Sequence, residues 1–227
     1  MKISKCSIMM RDNGRTWPGG ALRVLLWSVL LLSPVYADAK EADSRSTADV
    51  RLRGNPGAPI TLIEYSDFTC GYCQKFFRET WPRLHAKYVE TGKVRFLYRD
   101  FPRASQGPGI NAASAARCAG DQGKYWPMHD RLYGGRLDLS EFQRHATALG
   151  LNLPAFTKCF DEGRYTDAIF KDKEEGTSLG FRGTPGFVLM LTRRSSHESP
   201  LLIPGAFPFD VFEEEIDRLL KLEGQPH

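Results

Sequence analysis

The sequence lacks an apolar run long enough to cross a membrane as a helix. The longest such run, VLLWSVLLL at residues 24–32, has nine residues, whereas a helix needs about 20 to span the hydrocarbon layer. A basic segment precedes this run, and the small-residue stretch SPVYADAK follows it. This layout is typical of a cleaved secretory signal. We therefore expect residues 1–37 to be a signal peptide and the remaining protein to be periplasmic or secreted.

Two details of the signal stay open. Ala37 and Ala39 are about equally suitable as the last residue before cleavage. The basic segment is long, so translation starts at Met1 or at Met9 or Met10. The alternative of an uncleaved membrane anchor is disfavoured because the apolar run is too short.

Beyond the signal, the chain has no excess of positive charge. The whole sequence has a formal net charge of +4, and residues 1–37, with five Lys or Arg and one Asp, account for +4 of it. The remaining residues are therefore formally neutral. Nucleic-acid binders usually carry a basic patch, so we expect no nucleic-acid partner.

Cysteine is scarce, and its distribution argues against a zinc site. The chain has five cysteines, and Cys6 lies in the signal. Cys70 and Cys73 form a CxxC motif, whereas Cys118 and Cys159 are isolated, and the five histidines show no ligand spacing. A structural zinc site would require a second close pair. We expect no metal, and four cysteines in an exported protein suggest two disulfides.

The order of strand and helix patterns predicts an α/β fold. After a polar leader at 38–58, we expect strands at 60–68 and 93–102 that flank a helix at 74–88, which Pro82 either kinks or restarts. Helical patterns follow at 110–126, at 127–133 and from Ser140, a candidate N-cap, to about residue 180. Strands at 183–192 and 200–206 and a helix at 208–222 complete the chain.

This βαβ…ββα order is that of a thioredoxin fold with an inserted all-helical subdomain. The expected boundaries are 59–103 for the N-terminal part of the thioredoxin fold, 104–180 for the helical insertion and 181–227 for the C-terminal part.

The CxxC motif lies where a strand ends and a helix begins. A helix N-terminus stabilises a thiolate, because its free N–H groups carry partial positive charge. The thiolate is the attacking species in thiol–disulfide exchange. We therefore interpret Cys70 as the nucleophile and Cys73 as the resolving thiol. A purely structural disulfide is the weaker alternative, since so small a loop restrains the unfolded chain little.

Three segments, IEYSDFTCGYCQKF, CAGDQGKYW and RGTPGFVL, together resemble the DsbA-like family of exported thiol–disulfide oxidoreductases. The resemblance covers about residues 55–220. It implies that Pro185 forms a cis peptide facing the CxxC and that Thr184 pairs with an extended substrate, with Gly71 and Tyr72 also in the substrate-binding surface. The alternative for Pro185 is an ordinary turn. It also implies that Glu64, six residues before Cys70, is a buried acid that exchanges a proton with Cys73. The alternative for Glu64 is a solvent-facing position on an edge strand.

The two remaining cysteines lie in separate predicted helices of the insertion. We hypothesise that Cys118 and Cys159 form a structural disulfide that takes no part in turnover. The alternative is a pair of buried free thiols, which behave as small apolar residues.

The direction of exchange stays open at this point. Gly71 and Tyr72 differ from the Pro-His pair of strongly oxidising family members and resemble the pair in DsbC-type isomerases, and Thr184 favours the same alternative. Those isomerases carry an N-terminal dimerisation domain, for which about twenty residues are too few.

We therefore expect a monomeric disulfide-donating oxidase whose only redox group is the Cys70–Cys73 disulfide. Its expected partners are exported cysteine-containing proteins and a membrane redox partner. The alternatives are an isomerase or reductase kept reduced by a membrane partner, and a non-catalytic binding or chaperone module.

Overall fold

The computed structural model of the chain describes residues 49–193 and 199–224. The expected signal peptide, both candidate cleavage sites and most of the expected leader lie outside the described residues. So does the middle of the turn between the last two strands. Within the described ranges, no helix is long and apolar enough to cross a membrane.

Five strands form one mixed sheet in the order β1-β3-β2-β4-β5. β2 and β3 are parallel, as a strand–helix–strand unit requires, and the β1–β3, β2–β4 and β4–β5 pairs are antiparallel. The central strand β2 is buried along almost its whole length. The strands are β1 (Leu52–Arg53), β2 (Ile60–Ser66), β3 (Val94–Asp100), β4 (Gly186–Leu191) and β5 (Leu201–Pro204).

Eight α-helices and one π-helical turn connect and flank these strands in the described residues. Five of the helices, α3 to α7, follow one another between β3 and β4. The helical elements between β2 and β3 are α1 (Gly71–Glu79), α2 (Trp81–Leu84) and the π-helical turn (His85–Val89). The later helices are α3 (Pro108–Gly120), α4 (Tyr125–Leu132), α5 (Leu139–Ala148), α6 (Leu153–Asp161), α7 (Thr166–Ser178) and α8 (Phe209–Glu223).

The two faces of the sheet pack against different helices. On one face, Ile60 and Leu62 belong to a buried cluster with residues of α1, α2 and α8. Since side chains alternate along a strand, Tyr65 points to the other face, where α7 lies close to β2 and β3. The contact there is tight, because a Cβ on Gly176 of α7 would lie 2.7 Å from the ring of Tyr65. The sheet thus lies between two layers of helices, with β2 at its centre.

The predicted thioredoxin-type fold with helices between its two halves is confirmed, while several local details differ. The helix expected at 110–126 ends at Gly120, and a second helix begins at Tyr125. The helix expected from Ser140 is capped instead by Asp138, whose carboxylate accepts from the backbone N–H of Glu141 at 3.1 Å. A carboxylate three residues before a free N–H satisfies it directly.

The segment expected to be a leader ends in a strand. Leu52 and Arg53 pair with Phe96 and Leu97 of β3 and extend the sheet by one short edge strand. Two residues are too few to give a strand periodicity in the sequence.

Ion pairs help to hold this edge. Arg51 forms ion pairs with Asp49 and with Asp172 of α7. Asp172 also pairs at 2.6 Å with the buried Arg117 of α3. The edge strand is therefore tied through charged groups to two helices.

Candidate active site

The loop before the CxxC motif is fixed by Asp67. Its carboxylate accepts from the backbone N–H and the hydroxyl of Thr69, at 2.8 and 2.7 Å, and from the backbone N–H of Arg103 at 2.9 Å. Its carbonyl oxygen accepts from the N–H of Cys70 at 2.9 Å. An Asp that bonds to the backbone two residues on forms a local turn. The turn delivers Cys70 to the start of α1.

Cys70 is the N-cap residue of α1, with extended backbone angles of φ −82° and ψ 121°. Cys73, one turn later, is completely buried, whereas Tyr72 between them is 68% exposed. Both cysteines are free thiols in this structure. Cys70 itself is 6% exposed, so the pair has one nearly buried sulfur at the helix N-terminus and one completely buried sulfur a turn later.

Thr184 faces Cys70 from the loop that precedes β4. The Thr184–Pro185 peptide bond is cis, and the carbonyl oxygen of Thr184 accepts from the Cys70 thiol at 3.3 Å. The structure therefore brings together Cys70, Thr184 and Pro185 as the family resemblance implies.

The surroundings of Cys70 favour its thiolate, and its pKa falls to about 5. The largest cause is a hydrogen bond with Cys73. Burial opposes the shift, and further hydrogen bonds from Thr184 and from the backbone N–H groups of Cys73 and Tyr72 add to it. At neutral pH, Cys70 is the ionised member of the pair.

Cys73 is affected in the opposite direction. Burial is the largest cause that raises its pKa, followed by the hydrogen bond with Cys70 and the charge of Glu64. A buried thiol with a raised pKa suits the resolving position, since it becomes a thiolate only when another group takes its proton.

Glu64 lies on β2 and is 3% exposed. Burial raises its pKa to about 8. A hydrogen bond from Ser66 opposes the shift, and the charge of Cys70 adds to it. One of its carboxyl oxygens is buried without a hydrogen-bond partner. The structure thus places Glu64 inside, at the sheet centre, and not on a solvent-facing edge strand.

Next to Tyr72, an apolar groove of about 280 Å³ opens along the loop between β5 and α8. Phe207 in this groove is 41% exposed. A second concave surface of about 380 Å³ continues past the cis-proline loop. The lining residues of the first groove are Tyr72, Thr184, Pro204, Gly205, Ala206, Phe207 and Pro208.

Cys118 of α3 and Cys159 of α6 are bonded to each other, with their Cα atoms 5.8 Å apart. Both are buried, and they belong to helices of the block between β3 and β4. The bond joins two helices that are 41 residues apart in sequence.

Sequence reasoning missed two residues of the site. Ser66 is two residues after Glu64 on β2, so a period of two would have placed it on the same face. Tyr133, which contacts Ser66, follows α4, and no local pattern connects it with the CxxC motif.

The described residues contain no group of three or more His, Cys, Asp or Glu that could hold a metal ion.

A thioredoxin-type sheet with a CxxC at the start of α1 and a cis-proline opposite defines the class of dithiol thioredoxin-fold proteins. The thioredoxin family profile matches residues 46–199, about two thirds of the chain.

Two solved structures are similar to this chain in sequence and fold over most of their length. α-DsbA1 of Wolbachia pipientis is 30% identical, with a TM-score of 0.66, and the match covers 74% of this chain and 89% of that one. A thioredoxin-like oxidoreductase from Silicibacter pomeroyi is 28% identical, with a TM-score of 0.62 and coverage of 75% and 91%. The chain belongs to the thioredoxin family and, within it, to the DsbA-like proteins.

Similarity also extends to a part of larger proteins. The Na⁺/H⁺ antiporter NhaA 3 of Salinispora tropica is 32% identical over 139 residues, which are 60% of this chain and 21% of the antiporter. The chain thus spans about a fifth of the length of that relative.

Proposed function

We propose that this protein is a thiol–disulfide oxidoreductase that donates the Cys70–Cys73 disulfide to exported, cysteine-containing polypeptides. The observation that carries the proposal is the difference in pKa and surroundings between Cys70 and Cys73. Cys70, with a pKa of about 5, lies at the helix N-terminus beside Thr184, while Cys73 lies buried near an acid. The oxidoreductases among its relatives support the same class of activity.

Donation proceeds in two exchanges. A substrate thiolate attacks the sulfur of Cys70 in the oxidised protein, the Cys70–Cys73 bond breaks, and Cys73 leaves as a thiolate. Glu64, whose pKa of about 8 keeps it protonated at neutral pH, gives Cys73 its proton. A second substrate thiolate then attacks the substrate sulfur of the mixed disulfide and releases Cys70 as a thiolate. The substrate is oxidised, and the pair is reduced.

The acidity of Cys70 supports this direction. A stabilised thiolate favours the reduced protein, and a dithiol protein with a stabilised reduced form is a strong oxidant. The dipeptide Gly71-Tyr72 is the feature that favours the second candidate, an isomerase or reductase. The redox potential separates the two candidates.

The substrate surface of this proposal is the groove beside Tyr72 together with the cis-proline loop. In the oxidised protein, Cys70 is bonded to Cys73 and carries no thiol proton, so it cannot donate to the carbonyl oxygen of Thr184 as the free thiol does. That oxygen is then free to accept from the N–H of an extended substrate segment. Apolar contacts along the groove add affinity without demanding a particular sequence.

Several wider features belong to the same proposal. Residues 1–37 direct export, the protein acts as a monomer in the periplasm or outside the cell, and a membrane partner reoxidises it. Residues 104–180 form the inserted helical subdomain, which the Cys118–Cys159 bond stabilises without taking part in turnover. No metal or organic cofactor is required, because the cysteine pair carries the electrons.

Trapping of the mixed disulfide tests the proposal. A reduced Cys73→Ser variant, incubated with a peptide activated as a mixed disulfide, is expected to retain the peptide on Cys70, because no resolving thiol remains. Wild-type protein is expected to release the peptide, and Cys70→Ser is expected to capture none. Capture by Cys70→Ser at the rate of Cys73→Ser would show that Cys70 is not the reacting thiol.

A further inference from the structure

Three buried hydroxyl groups form a row behind the cysteine pair. The Ser66 oxygen lies 2.8 Å from the hydroxyl oxygen of Tyr133, which lies 3.0 Å from that of Tyr98. Ser66 is on β2, Tyr98 is on β3, and Tyr133 directly follows α4. All three side chains are buried. The row therefore connects the strand that carries Glu64 to the helical block.

A negative charge at the Ser66 end of this row fixes which hydroxyl donates and which accepts in each hydrogen bond. Each hydroxyl has one proton to donate and can also accept. A carboxylate or thiolate only accepts, so Ser66 must donate to it. Ser66 then accepts from Tyr133, and Tyr133 accepts from Tyr98. One charge at the Ser66 end thus orients all three groups.

Glu64 and Cys73 are the two groups at that end. Glu64 and Ser66 are two residues apart on β2 and share one face of the sheet. One carboxyl oxygen of Glu64 is buried without a partner, and Cys73 is fully buried. An unpaired buried charge costs several kcal/mol. A hydroxyl donor on the same face of β2 as Glu64 has a clear physical use.

We propose that Ser66, oriented by Tyr133 and Tyr98, is a positioning residue that donates its hydroxyl proton to whichever of Glu64 and Cys73 is negatively charged during exchange. This inference rests on the proposed function and deepens it. As Cys73 leaves the disulfide, it is the thiolate and accepts from Ser66. Once Glu64 has passed its proton to Cys73, Glu64 is the carboxylate and accepts instead. Ser66 donates only hydrogen bonds, and the transferred proton is that of Glu64.

The electrostatics of the site agree with this role. Hydrogen bonding to Ser66 lowers the pKa of Glu64 and also that of Cys73, in each case against the stronger effect of burial. The titratable groups that face Glu64 are Cys70 and Cys73 from the start of α1, Tyr98 from β3 and Tyr133 from the end of α4. Burial raises the pKa of both tyrosines far above neutrality, so they stay protonated donors.

The test uses Ser66→Ala and Tyr133→Phe in the full-length mature protein. Tyr133→Phe keeps the ring that stacks on Phe77 at 4.7 Å, so it removes the hydroxyl with little change in packing. Tyr88→Phe is the matched control, because its hydroxyl donates to Asp217 at 2.8 Å on α8. The first readout is the pKa of Glu64 in the reduced protein, which is measured from the carbon NMR shift of its side-chain carboxyl against pH.

Ser66→Ala is expected to raise the pKa of Glu64 by about one unit, the effect of losing one hydrogen bond to a charged group. Tyr133→Phe is expected to raise it by less, and Tyr88→Phe should leave it unchanged. The second readout is the rate at which the oxidised protein oxidises a dithiol peptide between pH 6 and pH 8. Ser66→Ala is expected to slow this reaction about tenfold and to change its pH profile.

The outcomes separate the two proposals. If wild-type protein oxidises the peptide while Ser66→Ala and Tyr133→Phe match it in pKa and pH profile, the role of Ser66 is wrong and the proposed function stands. If wild-type protein fails to oxidise the peptide, the proposed function is wrong, and the role of Ser66 is wrong with it.

Discussion

Replacing Glu64 with Gln is expected to change how the stability of the oxidised protein depends on pH. In the native state, burial raises the pKa of Glu64 from its ordinary value of 4.5 to about 8. The native state therefore holds this proton across a pH range in which the unfolded chain has released it. Stability falls with rising pH wherever the native state binds more protons than the unfolded state. Glutamine cannot titrate, so the variant loses this dependence.

The size of the effect follows from the two pKa values. Each pKa unit corresponds to about 1.4 kcal/mol. Between pH 4.5 and about pH 8, the wild-type protein should lose at most about 5 kcal/mol of unfolding free energy relative to Glu64→Gln. In the oxidised protein the nearby Cys70 thiolate is absent, which removes one smaller contribution to the raised pKa. A loss of roughly 2 to 4 kcal/mol between pH 5 and pH 8 is therefore expected.

Urea unfolding followed by circular dichroism at pH 5, 6, 7 and 8 measures this difference. The oxidised protein is used because neither Cys70 nor Cys73 titrates in it. Glu79→Gln is the control, since it makes the same chemical change at an exposed position on α1. A constant difference between wild type and Glu64→Gln, within about 0.5 kcal/mol from pH 5 to pH 8, would refute the account of Glu64.

Three further changes have defined outcomes. Thr184→Val should raise the pKa of Cys70 by about one unit, because it removes the buried side-chain hydroxyl of Thr184, which has no other hydrogen-bond partner and lowers this pKa. Thiolate absorbance of the reduced protein against pH measures this. Double replacement of Cys118 and Cys159 by Ala should lower the free energy of unfolding by about 2 to 4 kcal/mol, since the bond closes a long loop in the unfolded chain, and should leave peptide oxidation unchanged. Gly176→Ala should cost about 1 to 3 kcal/mol in urea unfolding, because the added methyl overlaps buried rings.

Each of these changes has a control. Thr147→Val removes a hydroxyl that bonds within α5, so an equal rise in the pKa of Cys70 would exclude a direct effect of Thr184. Loss of peptide oxidation in the Cys118 and Cys159 variant, while it remains folded, would contradict a purely structural disulfide. Gly134→Ala has room for its methyl, and a cost as large as that of Gly176→Ala would contradict the packing argument.

The sequence was sufficient to predict the fold and the place of the CxxC motif at the start of a helix. Buried strands, amphipathic helices and cysteine spacing are local signals, and together they located β2, the CxxC motif and the final βα segment. The role of Glu64 came from the family resemblance, to which its position within an otherwise apolar strand added a local signal.

The remaining parts depend on contacts between distant segments. The row from Ser66 to Tyr133 joins residues 67 positions apart. A local sequence pattern cannot predict a contact between residues so far apart. Strand β1 has only two residues and forms because β3 offers a free edge. The N-cap at Asp138 was missed because Ser140 is an equally good capping type, and the choice between them depends on where the chain enters the helix.

The reduction potential of the Cys70–Cys73 pair tests the central claim most directly. The mature protein is equilibrated in glutathione buffers, and the fraction of the pair that is oxidised is measured at each ratio. The account predicts a potential above about −180 mV and toward the ~ −120 mV of DsbA, since the Cys70 thiolate stabilises the reduced form. A potential of about −180 mV or lower would contradict a disulfide-donating role and would favour an isomerase or reductase.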